Sequence, residues 1–130
     1  MSTISAQLHD RRPATADHIG PLRRALVDLA ARGGASERQR QDIALAISEA
    51  LTNVVTHAYG TPLPGPMALH AAIDGAVLEI DVLDEGIGMP PPATYPAGGV
   101  GLAIIARVTD GLELSDTAPG TRLRMMFEIS

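Results

Sequence analysis

Apolar residues recur at spacings of three and four along residues 36–60, SERQRQDIALAISEALTNVVTHAYG, where Ile43, Ile47, Leu51, Val54, Val55 and Ala58 line one stripe of a long helix. Its ends are marked by the sequence itself. Ser36 is a good N-cap, Gln39 can close a capping box with it, and Glu37 suits the positive end of the helix dipole. At the far end His57 occupies the last turn, and Gly60 can adopt the left-handed conformation that stops a helix. A second amphipathic helix runs from Thr15 to about Arg32 through Ile19, Leu22, Ala25, Leu26, Leu29 and Ala30. Pro21 is tolerated in its first turn if the helix begins near Ile19, and Gly33 and Gly34 end it.

The other segments alternate with a period of two. STISAQL (2–8) reads as a short edge strand, followed by a polar break at 10–13. MALHAAI (67–73) and AVLEIDVLD (76–84) flank Asp74-Gly75, a favoured hairpin turn, so they pair. The second of these is apolar on both faces near its end, as for a central strand covered by helices. TPLPGP (61–66) and EGIGMPPPATYPAGG (85–99) are loops, and helical spacing returns from Gly101 to Asp110, with Gly111 as its stop. LELSDT (112–117) and TRLRMMFEIS (121–130) form a closing hairpin. Few helices and mostly hairpin-linked strands predict a two-layer α+β sandwich with a mainly antiparallel sheet.

Composition narrows the function classes. A chain of 130 residues is one domain, long enough to bury roughly two thirds of its unfolded surface. A formal charge of −5 without a basic cluster argues against a nucleic-acid partner. Cysteine is absent, which excludes thiolate metal sites and Cys nucleophiles. Lysine is absent too, which removes the phosphate-binding lysine of a P-loop and the strand lysine of the common protein-kinase fold. The first residues carry no long apolar run, and no window nears the roughly 20 apolar residues of a membrane span, so a soluble, cytoplasmic protein is expected.

Three segments hold residues a core does not need. Glu49, Asn53 and His57 are four residues apart in turn and stack beside the apolar stripe, either as a solvated row or as the wall of a site. Asn53 offers an oxygen suited to Mg²⁺, and Glu49, one turn away, can act on a proton near a metal-bound phosphate. His57 lies about 12 Å from Glu49 along the axis, too far to share one metal or proton, and its place at the helix end gives it a structural use. Asp84 closes the central strand before Gly86 and Gly88, which let a planar ligand or another backbone approach. It can accept a hydrogen bond from an exocyclic amine, or simply cap a turn. Gly98, Gly99, Val100, Gly101 and Leu102 open a helix whose free N–H groups suit an anion, or serve as a hinge.

In this order the three segments resemble the GHKL superfamily of ATPases: Glu49-Ala-Leu-Thr-Asn53 with His57-Ala58-Tyr59 looks like its N-box, Asp84-Glu-Gly86-Ile-Gly88 its G1 box, and Gly98-Gly-Val-Gly101-Leu102 its G2 box. Gly120-Thr121 matches the family's final nucleotide-contacting element. The short length, the N-box form and the ending G-T-R-L-R look like the anti-sigma-factor serine kinases. The resemblance implies one histidine-kinase-like ATPase domain over 1–130, a Bergerat sandwich whose mainly antiparallel mixed sheet is covered by helices on one face. It implies that Asp84 reads the adenine amine with Thr121 through water, that Asn53 holds Mg²⁺, that Glu49 is the general base, and that Gly86, Gly88 and the residues 98–102 contact ATP. The partners implied are a sigma factor and a STAS-type anti-anti-sigma protein phosphorylated on serine, often with a homodimeric kinase.

The chain departs from that pattern at Ala97, where the family often carries a basic residue near the γ-phosphate, and in a short proline-rich loop over 89–97. A cation lost there would slow phosphoryl transfer by several powers of ten. The alternative is therefore a non-catalytic nucleotide-binding module that sequesters a sigma factor or other partner. A sensor histidine kinase is a third reading, for which 130 residues leave no room for a phosphoacceptor domain.

Overall fold

A computed structural model describes residues 3–59, 64–86, 99–116 and 120–129. In chain order these form β1 (Ile4–Pro13), a 3₁₀ turn (Ala16–His18), α1 (Ile19–Arg32), α2 (Glu37–Asn53), a π-helical turn (Val54–Ala58), β2 (Pro66–Asp74), β3 (Val77–Asp84), α3 (Gly99–Val108), β4 (Gly111–Asp116) and β5 (Thr121–Glu128). The strands make one sheet in the order β1-β2-β3-β5-β4, and all four pairings are antiparallel. The expected two-layer α+β sandwich is therefore present, with no parallel pair among the described residues.

Strict alternation on the inner strands explains the layering. Met67, Leu69, Ala71 and Ile73 of β2, Leu78, Ile80 and Val82 of β3, and Leu123, Met125 and Phe127 of β5 point toward the helices and are buried. They meet Leu22, Leu26 and Leu29 of α1, Ile43, Ile47 and Leu51 of α2, and Ile105 of α3 in one cluster. Each of the large side chains among them contributes about 1.5–3 kcal/mol relative to exposure. A slip of one residue would turn a whole strand's apolar set to water, so the register is strongly specified.

The opposite face of the sheet is open and polar. One row crosses all five strands: His9, His70, Asp81, Arg124 and Glu113 stand in register. Arg124 grips Asp81 with two bonds of 2.8 and 3.0 Å, and the rings of His9 and His70 lie 4.5 Å apart. So β3 is central, but the described helices cover one of its faces, and Leu83 and Val77 are half-buried on the other side.

Several local expectations shift. The stretch 10–13 is strand and not a break: Arg12 pairs with Met67 in the ladder, and its guanidinium bonds Asp10 beside it. Polar residues remain in a strand when the backbone has a partner and the side chains reach water. The hairpin turn is Gly75-Ala76, because Asp74 still pairs with Val77; Gly75 takes the positive φ of +62° that the first turn position needs. The second long helix keeps its capping box, with Ser36 and Gln39 exchanging two bonds of 3.1 Å. Its last turn, however, is π-helical. Gly60, expected to end it, lies outside the described residues. Gly111 opens β4 and does not cap α3. No described helix is long and apolar enough to cross a membrane.

Candidate functional site

α2 carries Glu49 and Asn53 one turn apart on the side that meets α3. Glu49 is half-buried, while Asn53 is only 9% exposed. The backbone of Gly101, in the first turn of α3, reaches both. A Cβ added there would stand 3.0 Å from Glu49 Oε2 and 3.4 Å from each polar atom of the Asn53 amide. The first and third motifs are therefore in contact, with the N-terminal turn of a ten-residue helix beside a carboxylate and an amide. Among the described residues Asn53 Nδ2 is buried and has no hydrogen-bond partner.

The second motif meets the last strand. Asp84 ends β3 directly opposite Thr121, the first residue of β5, and both face the helical layer at 5% and 2% exposure. Burial pushes the Asp84 carboxyl above the ordinary carboxylate range, and the N–H groups of Gly86 and Thr121 pull it partly back. Asp84 Oδ1 accepts the Gly86 N–H at 3.0 Å. Thr121 Oγ1 is the second buried polar atom here with no partner. Gly120 holds φ at +106°, and a Cβ on it would lie 1.8 Å from the Asp84 carbonyl oxygen, so only glycine fits between the two strand ends. Gly86 is as tightly placed, 1.9 Å by the same measure from the carbonyl oxygen of Ala58 at the end of the π turn.

A separate concavity of about 220 Å³ lies on the open side, lined by Arg11, Pro66, Ala68, His70, Leu83, Asp84 and Glu85. Of Glu49, Asn53, Asp84, Gly101 and Thr121, it touches Asp84 alone.

Some motif residues do not join this arrangement in the way the spacing predicts. The π turn begins at Val54 and holds more residues per turn than an α-helix, so His57 no longer stacks four residues above Asn53 with α spacing. Leu102 packs partly against the hydrophobic core. Gly99 and Val100 lie in the first turn of α3, whereas Gly88, Ala97 and Gly98 lie outside the described residues. One residue was missed as a structural element of the site. Tyr59 donates its hydroxyl to the Pro66 carbonyl and accepts the Glu85 N–H at 2.9 Å. In a chain with only 2% aromatic residues, a tyrosine at the end of the motif-bearing helix is the signal that marks it.

The donor set suits Mg²⁺, a hard cation that takes oxygen ligands. Among the described residues no three His, Asp or Glu groups gather as a metal cage. The Asn53 amide carries an oxygen of the kind that ion takes, and such ions are commonly completed by substrate phosphates and water.

A family model described as Histidine kinase-like ATPase domain matches residues 12–127. The chain belongs to that family. Within it, this histidine kinase-like ATPase domain is 33% identical over 86 residues to the serine-protein kinase RsbW of Bacillus velezensis, covering 66% of this chain and 54% of that protein. It is 29% identical over 117 residues to RsbW of Bacillus cereus strain AH187, covering 78% of this chain and 72% of the relative. The chain thus spans about half the length of the first of these relatives. The structure of the RsbU and RsbW domains of a Mycobacterium tuberculosis protein has the same fold, with a TM-score of 0.75 at 24% identity, over 96% of this chain and 32% of that one. The histidine kinase domain of the Erythrobacter litoralis blue-light activated histidine kinase superposes with a TM-score of 0.62 at 20% identity, over 90% and 61%. The family resemblance read from the motifs agrees with all of these.

Proposed function

We propose that this domain binds ATP with Mg²⁺ between α2, α3 and the β3–β5 end of the sheet, and transfers the γ-phosphoryl group to a serine of a STAS-type antagonist while regulating a sigma factor. The observation that carries this reading is the meeting of Gly101, in the first turn of α3, with the Glu49 carboxylate and the Asn53 amide of α2, where Asn53 Nδ2 is buried without a partner among the described residues. Burying a polar atom without a partner costs roughly 1–3 kcal/mol, so a buried free amide N–H beside a helix N-terminus favours a ligand that brings an acceptor oxygen.

In this reading Asp84 accepts the exocyclic amine of adenine, and Thr121 assists through water. Asn53 would hold the magnesium ion through its amide oxygen, and the amides of Gly99, Val100 and Gly101, in the first turn of α3, would receive the phosphates at the positive end of the helix. Bound Mg²⁺ supplies neutralisation of the triphosphate charge. Glu49 takes the proton of the acceptor serine hydroxyl as its oxygen bonds to the γ-phosphorus and the bond to the ADP oxygen breaks. Positioning and charge carry such transfers, with little covalent work by the protein. The RsbW relatives are serine-protein kinases by name, which supports a serine acceptor. A homodimer and a cytoplasmic location belong to the same proposal.

Incubation with Mg²⁺ and γ-labelled ATP plus a STAS-domain protein tests it. Label should move to a serine of the partner. A protein that binds ATP tightly and moves no label would instead be the non-catalytic module, a reading favoured by Ala97 standing where the family often carries a cation.

A further inference from the structure

Tyr59 closes the gap between the end of the motif-bearing helix and the end of β3. Its ring fills the space beside Gly65, where an added Cβ would lie 2.1 Å from Cε1. Its hydroxyl is used twice, donating to the Pro66 carbonyl and accepting the Glu85 N–H. Next along the chain, the Gly86 N–H is taken by Asp84 Oδ1. The two amides that follow Asp84 are thus both held, one by Tyr59 and one by Asp84 itself. Gly86 is meanwhile pressed against the Ala58 carbonyl, immediately before Tyr59. The same helix end therefore grips the turn after Asp84 at two consecutive residues.

We infer that Tyr59 is a positioning residue whose hydroxyl fixes the Asp84–Gly86 turn and so sets the preference of the site for adenine over guanine. This rests on the nucleotide reading above. The competing holder of the turn is the Arg11–Glu85 ion pair at 2.9 Å, but its side chains are 66% and 50% exposed. Exposed pairs of that kind contribute little. Tyr59 is half-buried, and its hydroxyl is fixed from two sides by backbone groups, one accepting from it and one donating to it. A carboxylate discriminates between an amine donor and a carbonyl acceptor only if its direction is held. Without the hydroxyl, the Glu85 N–H loses its partner and the Asp84 turn is held from one side.

The test compares Mg-ATP and Mg-GTP affinities of wild type and Tyr59→Phe by calorimetry. ATP affinity should fall about three- to tenfold, as for one lost hydrogen bond, while GTP affinity changes less, so the preference for ATP shrinks. In an Asp84→Asn background the same change should alter ATP affinity less than about twofold, because the two residues act on one contact. Gly65→Ala, which displaces the ring but keeps the hydroxyl, should reproduce the lost preference. In the wild type, ATP should slow amide exchange at Glu85. A folded Tyr59→Phe protein with an unchanged ATP-over-GTP preference overturns the inference, as does an Asp84→Asn background in which its full effect persists. Wild-type protein that binds no ATP overturns the nucleotide reading, whereas wild type that binds ATP beside an unaffected variant overturns only the role of Tyr59.

Discussion

Gly101 and Glu49 touch across the α2–α3 boundary: a Cβ at residue 101 would come within 3.0 Å of the Glu49 carboxylate oxygen. That is tighter than ordinary contact, and a flexible carboxylate can yield by a few tenths of an ångström. Gly101→Ala should therefore fold, yet turn Glu49 aside and lower phosphoryl transfer by about tenfold or more, since small misplacements of a reacting group are costly. A single-turnover assay beside a thermal melt separates the two effects. Full transfer activity in the variant would show that the Glu49 position does not matter.

Removing the carboxylate is the direct test of the base. Glu49→Ala should reduce transfer by about 10²–10⁴-fold, the usual range for a general base, and leave ATP affinity within a few-fold. Equal loss of binding and transfer would overturn the assignment.

Asp84 carries opposite consequences for binding and for stability. Asp84→Asn should weaken ATP binding by about 1–3 kcal/mol, the cost of a badly matched buried polar group. Because burial raises the folded pKa of Asp84 above its ordinary 3.8, the folded chain holds a proton that the unfolded chain releases in the window just above that value. Stability contributed by this group is thus lost as pH rises through the window. The nucleotide-free Asn variant should accordingly melt higher than wild type near neutral pH, with the difference vanishing below the carboxylate range. Melting curves at pH 3 and pH 7 check this, and an unchanged difference between them would refute it.

Gly86→Ala should be destabilising by about 3 kcal/mol or more, because its Cβ would meet a backbone carbonyl that cannot rotate away. Denaturant unfolding reads the change directly. A wild-type midpoint would mean that the π turn and the β3 end part easily.

His57→Gln should lower the melting temperature modestly and keep ATP affinity within a few-fold, as expected for a residue in the π-helical end of the α2 segment. A variant that folds and binds ATP but has lost all transfer would place the general base at His57.

Much of this protein is legible from its residues because much of it is local. A capping box is made within four residues, so Ser36 and Gln39 announce the start of α2. The Gly75 hairpin and the alternation of β2 and β3 follow from turn chemistry and the two-residue period, with an error of one residue in the turn. The three groups of polar and glycine residues stand out because no core requires them. The polar stretch 10–13 misled for the same reason: side-chain polarity is local, but the ladder partner that makes it a strand is Met67 and its neighbours, far along the chain.

The rest depended on which elements meet. The sequence orders β4 before β5, yet the sheet inserts β5 between β3 and β4, and only that order sets Thr121 opposite Asp84. Helical periodicity carries the stripe through Val54 to Ala58, but the contact of the Ala58 carbonyl with Gly86 goes with a π turn. Tyr59 binds Pro66 and Glu85 for a reason invisible to periodicity, since its partners are backbone groups at the start of β2 and just past the end of β3. Local spacing determined which residues could do chemistry, because caps, turns and alternation are short-range. The packing of α2 and α3 on one end of the sheet decided which of them share a cleft, because contact across elements depends on topology that no short window contains.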